Sequence, residues 1–176
     1  MSIISGRGDQ GETDLMFSKR IAKTSRRVEA LGCVDELNAA LGLARAADGH
    51  ADVIAIIDGI QARLVGLMGQ LATLPEDEQK YLEKKYAYLG PDDLEWVTAT
   101  AHDYEKRGVR FTSWARPGAE GSMARAGLDY SRSVARRAER AVLVLHESGE
   151  PVPEVVRLFF NRLSDLLWIL ARVEDI

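Results

Sequence analysis

The sequence predicts an all-α fold, a single-domain five-helix bundle, and three observations carry that expectation. Apolar residues return at helical spacing in several long stretches. Glycines and prolines stand between those stretches, where helices have to end. No two segments read as a convincing pair of strands. A chain of 176 residues with 46% hydrophobic and 28% charged residues fits one globular domain with a real core.

The elements follow in order. Residues 5–20, SGRGDQGETDLMFSKR, show no period and read as a glycine-rich, charged loop; residues 1–25 form an N-terminal segment ahead of the bundle at 26–176. Residues 26–46 read as the first helix, with Val34, Leu37, Leu41 and Ala44 in one stripe and Gly49 beyond its end. Residues 51–74 form the second, stopped by Pro75. The charged stretch 76–90 suits either a short helix or a surface excursion. Pro91 and Asp92 open the third helix, which runs to Lys106 with Leu94, Trp96 and Val97, and Gly108 closes it. VRFTSW, residues 109–114, reads as extended and RPGAEGS as a turn. Ser122 is placed to cap the fourth helix, which runs to about His146. Pro153 sits in the first turn of the last, Glu154 to Val173, where a missing N–H costs nothing.

The totals exclude several classes. A formal charge of −4 gives the whole molecule no attraction for nucleic acid or an anionic membrane, so any anion site must be local. One cysteine, Cys33, allows no disulfide within the chain and no cysteine-rich zinc site; it reads as a small core residue. His50, His102 and His146 lie on separate segments without a metal-binding spacing. Met1 to Gly11 lack the apolar run of a secretory signal, and Leu163 to Val173 are too short and too polar to span a bilayer. The expectation is a cytoplasmic protein with no protein-built metal site.

The fourth helix is the most informative segment. Gly127, Tyr130, Val134, Ala138, Ala141 and Leu145 mark a core face. Arg125, Arg132, Arg136 and Glu139 gather opposite, with Arg137 and Arg140 on the flanks. Such a face is either a solvated surface or a cradle for phosphate, whose oxygens suit guanidinium forks. Asp35 and Glu36 are acidic residues of the first helix. An ion pair from either to an arginine of that wall would cross the core within one chain, and form more easily across a subunit seam, where Ala30, Ala39, Ala40 and Gly42 allow close approach. The last helix is apolar around most of its circumference. Its Asn161 and Asp165 share a face and need partners, while Arg162 and Arg172 are expected to reach outward.

The opening GRGDQGET holds Gly6, Gly8 and Gly11 ahead of Thr13, a pattern able to expose backbone N–H groups to an anion. It is neither a Walker loop nor a dinucleotide fingerprint. A basic cluster follows: Lys19, Arg20, Lys23, Arg26 and Arg27. No acid–base pair for ordinary catalysis stands out, so an enzyme of this sequence would act by positioning and electrostatics.

Three stretches then carry a resemblance over nearly the whole chain: GDQGETDL with Lys23 and RRVEALGCVDELNAALG, then SRSVARRAER, then FFNRLSDLLWILAR. Their order and the helices between them resemble the PduO-type ATP:cob(I)alamin adenosyltransferases. The resemblance implies a five-helix bundle assembled as a homotrimer with its sites between subunits. It implies ATP held by the N-terminal loop and the arginine-rich helix, Mg²⁺ at the phosphates, and cobalamin or another corrinoid above in an apolar pocket. The reaction implied is transfer of the 5′-deoxyadenosyl group to reduced cobalt with release of triphosphate, served by a corrinoid reductase and feeding a cobalamin-dependent enzyme. By motif position, Gly8, Asp9, Gly11, Thr13, Lys23 and Arg27 correspond to the nucleotide side. Arg132, Arg136, Arg137 and Glu139 correspond to the helix motif, and Asn161 to the last motif. Asp35 would meet Arg132 across the seam, and Arg132, Asp35 and Arg136 are the catalytic candidates.

The chain departs from the family pattern at particular positions. Arg7 precedes the loop glycine, and Asp14 and Leu15 replace a serine-leucine pair. Trp114 stands for the phenylalanine before the proline-glycine turn, on the corrinoid side. The turn reads Pro117-Gly118-Ala119 with extra residues after it, and Asp129 takes a histidine's place. These changes keep a second reading open, a trimeric ATP- or corrinoid-binding protein without transfer.

Overall fold

The computed structural model describes residues 4–111, 113–119 and 121–173. Among them are six α-helices, not the expected five: α1 (Arg26–Ala47), α2 (Ala51–Leu71), α3 (Glu78–Glu83), α4 (Pro91–Glu105), α5 (Met123–Glu147) and α6 (Glu154–Leu170). The additional helix, α3, lies in the charged stretch after Pro75. Local propensity starts it, and burial of Tyr81 holds it to the bundle, with the Tyr81 hydroxyl donating to the Ala87 carbonyl at 2.6 Å. Lys85 ends the excursion in the left-handed region, at φ 53°.

Residues 5–20 are not a plain loop. Strands β1 (Glu12–Asp14) and β2 (Arg20–Ala22) form a two-stranded antiparallel hairpin, with Thr13 opposite Ile21. Three-residue strands are too short to show alternation, which is why the sequence hid them. The hairpin is tied to the bundle by the Met16 N–H, which donates to the Ala72 carbonyl at 2.9 Å.

The long helices pack in a chain of neighbours: α2 on α1, α1 on α5, α5 on α6, and α6 on α4. Ser25 caps α1 by accepting from the Val28 N–H, and Ser122 caps α5 by accepting from the Arg125 N–H. The core is built from Leu37, Leu41, Ile57, Leu64, Leu145 and the edge-to-face rings of Phe159 and Phe160, 6.2 Å between centroids. Helices α1 and α5 touch at Gly127: a Cβ there would lie 2.9 Å from the Ala44 Cα, so only glycine fits this crossing. Leu128, Ala135 and Val142 belong to the buried stripe of α5, and Tyr130, expected in the core, is 51% exposed. The stripe is rotated because α5 packs against both α1 and α6 rather than one partner.

No helix among the described residues is long and apolar enough to cross a membrane.

Candidate functional site

The glycine segment folds as successive turns. The Asp9 N–H donates to the Gly6 carbonyl and the Gly11 N–H to the Gly8 carbonyl, both at 3.2 Å, with Gly6 and Gly11 at positive φ. Lys23 closes the turn from the other strand, its N–H donating to the Gly11 carbonyl at 2.8 Å. A side chain at Gly8 would start 2.8 Å from Lys23 Nζ, so the ammonium lies directly over this glycine. Gly8, Asp9, Gly11, Thr13 and Lys23 therefore form one cluster at the hairpin's open end, with Asp9, Gly11 and Lys23 exposed and Gly8 and Thr13 half-buried.

The hairpin stem is ionic. Arg20 reaches Asp14 at 2.8 Å and Glu12 at 3.2 Å, and Arg7 reaches Asp14 at 2.9 Å. The Arg7 hydrogen bond, assisted by Arg20 against a smaller opposing effect of burial, holds the Asp14 carboxyl below its usual value.

From the hairpin the chain turns at Ser25 straight into α1, which delivers Arg26 to a cavity of about 220 Å³ between α1 and α5. Arg137 and Arg140 of α5 line the same cavity, with Glu29 and Cys33 of α1. Burial, followed by the charge of Glu29, pushes the Cys33 thiol above its usual value, which fits a packed cysteine rather than a nucleophile. Arg137 also pairs with Glu36 of the same chain. That corrects the expectation that such a pair would cross the core: α1 and α5 are direct neighbours, and the two residues meet along the shared edge.

Arg132 faces the other way. It lines a cavity of about 550 Å³ between α4 and α6, with Phe111, Trp168, Arg162 and Asp165. Arg136 projects between these two sides into solvent, and Glu139 is half-buried. Asp35 is exposed on the outer face of α1, in a strip with Gly32, Ala39 and Leu43, and does not meet Arg132 within the chain. Asn161 is exposed on α6, where it accepts from Arg162 at 2.8 Å. Trp114 is 85% exposed.

Two residues behave differently from their sequence expectation. Arg27 is 4% exposed, and its guanidinium clamps three elements: it donates to the Leu71 and Thr73 carbonyls at 2.8 and 3.0 Å and pairs with Glu150 at 2.7 Å. It knits α1 to the end of α2 and to the α5–α6 connector. Arg172, expected to reach outward, turns inward to Asp129 at 2.9 Å and lies 4.4 Å over the Trp168 ring. Asp129 at the histidine position is what draws it in.

The residues missed by motif reading are Arg140, Phe111 and Trp168. Arg140 falls on the flank of the α5 pattern, and no local signal sends Phe111 and Trp168 to the same cavity as Arg132.

The sequence pattern of the cobalamin adenosyltransferase family matches residues 3–174. The corrinoid adenosyltransferase PduO of Citrobacter freundii is 35% identical over 175 residues, covering 99% of this chain and 50% of that protein, so the chain spans about half the length of this relative. A cobalamin adenosyltransferase of Cupriavidus metallidurans is 39% identical over 167 residues, covering 94% of this chain and 84% of the relative. The fold superimposes on a variant PduO-type ATP:corrinoid adenosyltransferase from Lactobacillus reuteri, complexed with cobalamin and ATP, with a TM-score of 0.85 and 28% identity over 97% of this chain and 89% of that one. Matched in sequence pattern from end to end and in the arrangement of its helices, the chain belongs to the cobalamin adenosyltransferase family.

Proposed function

We propose that this chain is an ATP:corrinoid adenosyltransferase acting as a homotrimer, with each site completed by a neighbouring subunit. The observation that carries the reading is the position of the α1 N-terminus. It joins the glycine turn under Lys23 to the cavity where Arg26, Arg137 and Arg140 converge. Lys23 and Arg26, three residues apart, thus set cationic side chains at the glycine turn and at the cavity, where Arg137 and Arg140 join them alongside Glu29, in a chain of net negative charge. A triphosphate matches this chemistry.

In the proposed reaction the C5′–O bond of ATP breaks as the bond from carbon to reduced cobalt forms, and triphosphate leaves with the electron pair. The nucleophile arrives on the substrate, so the protein needs no general base. Gly8, Asp9, Gly11, Thr13 and Lys23 would hold the nucleotide, and Arg137, Glu139 and Asn161 would complete its site. Arg136 would stabilise the leaving charge. Arg27 supports the site from behind through its clamp. Mg²⁺ would enter with the nucleotide and offset the charge of the triphosphate oxygens. Asp35 and Arg132, apart within one chain, would meet across the seam and fix the subunits' relative position. The corrinoid would lie over the Arg132 cavity, against Phe111, Trp168 and the segment carrying Trp114. A corrinoid reductase and a cobalamin-dependent enzyme are the partners this reaction calls for.

The test adds ATP and Mg²⁺ to the protein with cobalamin reduced to cobalt(I), and follows the visible spectrum. The expected outcome is conversion to adenosylcobalamin, lost in Arg132→Ala and Arg136→Ala variants whose unfolding midpoints match the parent. Absence of product from the folded parent would sink the reading. The exposed Trp114 and the Asp129 substitution favour a second reading, binding without transfer; it predicts spectral binding of the corrinoid and no adenosylated product.

A further inference from the structure

Beside the Arg132 cavity lies a second open cleft of about 570 Å³, between the segment after α4 and the end of α6. The two share Val109 and Trp168, so a ligand in the first can extend a substituent into the second. Their charges differ. The first mixes signs: Arg132 and Arg162 against Glu105 and Asp165. In the second, the ionisable side chains contributed by the described residues are three arginines, Arg107, Arg110 and Arg172.

Two of the three have a carboxylate behind them. Arg107 lies 3.4 Å from Asp52 and stacks 3.8 Å over the Tyr104 ring. Arg172 pairs with Asp129, yet its Nε is buried without a hydrogen-bond partner among the described residues. Arg110 is exposed, and among the described residues its side chain makes one contact, a 3.3 Å hydrogen bond to its own neighbour's carbonyl, on Val109. A cleft lined by three arginines, one of them without a carboxylate partner among the described residues, is short of an acceptor.

We infer that this cleft binds an anionic oxygen group carried by the corrinoid, a free carboxylate on the ring periphery or the phosphodiester of the lower tail. The inference rests on the corrinoid reading above. It makes Arg110 a specificity-determining residue: the chain selects corrinoids that bring a negative substituent to this side of the ring. Ser113 and Ala115 also line the cleft, so the segment bearing Trp114 forms part of its rim.

The experiment compares three probes on the full chain with ATP present, by equilibrium spectral titration. They are cobyrinic acid a,c-diamide, which has free carboxylates; cobalamin, which has the phosphodiester; and cobinamide, whose side chains are amides and which lacks the phosphodiester. In Arg110→Ala, the Kd of an anionic probe relative to that of cobinamide should rise about tenfold, the size of one charge-assisted hydrogen bond. Arg110→Lys should recover most of it. A loss confined to the carboxylate probe places the anion on the ring periphery, and one confined to cobalamin places it on the tail. An unchanged ratio, or an equal loss on all three probes, overturns the inference while leaving adenosyl transfer standing. Failure of every corrinoid to bind the parent overturns both.

Discussion

Arg7 and Asp14, two residues at which the chain departs from its family's pattern, are each other's partner: Nη2 of Arg7 lies 2.9 Å from Oδ1 of Asp14. They flank the glycine turn, so their pairing ties the turn's entry to its exit. Both are well exposed, and an exposed pair contributes little to global stability. Its effect is local ordering of the turn.

The sign of that effect is testable. If the pair orders the turn, Arg7→Ala and Asp14→Asn should each raise KM for ATP, by about threefold, with kcat and the unfolding midpoint unchanged. If Arg7 served only as a loose positive charge, Asp14→Asn would free it and lower KM. Steady-state kinetics on the two variants separates these outcomes.

Asp129, another of these departures, also has a partner, Arg172. Both side chains are largely buried, so breaking the pair strands a guanidinium against Trp168. Restoring the family residue with Asp129→His should therefore cost about 2 kcal/mol, read from urea unfolding. An unchanged midpoint would mean that Arg172 finds another acceptor.

Arg27→Ala should be the most damaging of these changes, at about 3 kcal/mol, because it orphans the Leu71 and Thr73 carbonyls and Glu150 together. Arg27→Lys should rescue little, since one ammonium cannot reproduce a fork that spans three elements. Calorimetric melting of the two variants measures both effects.

Tyr104 gives the fold an alkaline dependence. Burial, and then the 2.8 Å hydrogen bond its hydroxyl donates to Asp52, push its pKa from 10.0 to about 12. The folded state holds this proton more tightly than the unfolded chain. Its stabilisation is therefore complete below the unfolded value and is lost as pH rises toward about 12. The loss should reach roughly 1 kcal/mol by about pH 11 and vanish from the pH profile of Tyr104→Phe. Coincident profiles for the two proteins would contradict this.

What the sequence made legible follows from the range of the forces involved. Helix periodicity and capping are local, so the long helices and the Ser122 cap could be read directly. The hairpin and α3 could not. Three-residue strands have no period, and α3 depends on burying Tyr81 in a place the local sequence does not specify. The site divided in the same way. Gly8, Asp9, Gly11 and Thr13 lie within six residues of one another and read as a motif, with Lys23 ten residues further on. The inward turn of Arg172 depends on Asp129, 43 residues away, and the clamp of Arg27 on Glu150, 123 residues away. Neither distance leaves a trace in spacing.

The meeting of Gly127 with Ala44 acts as a keyed joint. One register alone sets the missing Cβ against the Ala44 backbone, so α5 cannot slide or roll along α1. A residue inserted between Gly127 and Arg132 would turn every later arginine by about 100° while the joint itself held, taking the guanidinium groups off both of their cavities. The length of that segment is fixed for this reason. Length can vary upstream of the key, in the turn just before α5, without moving these side chains.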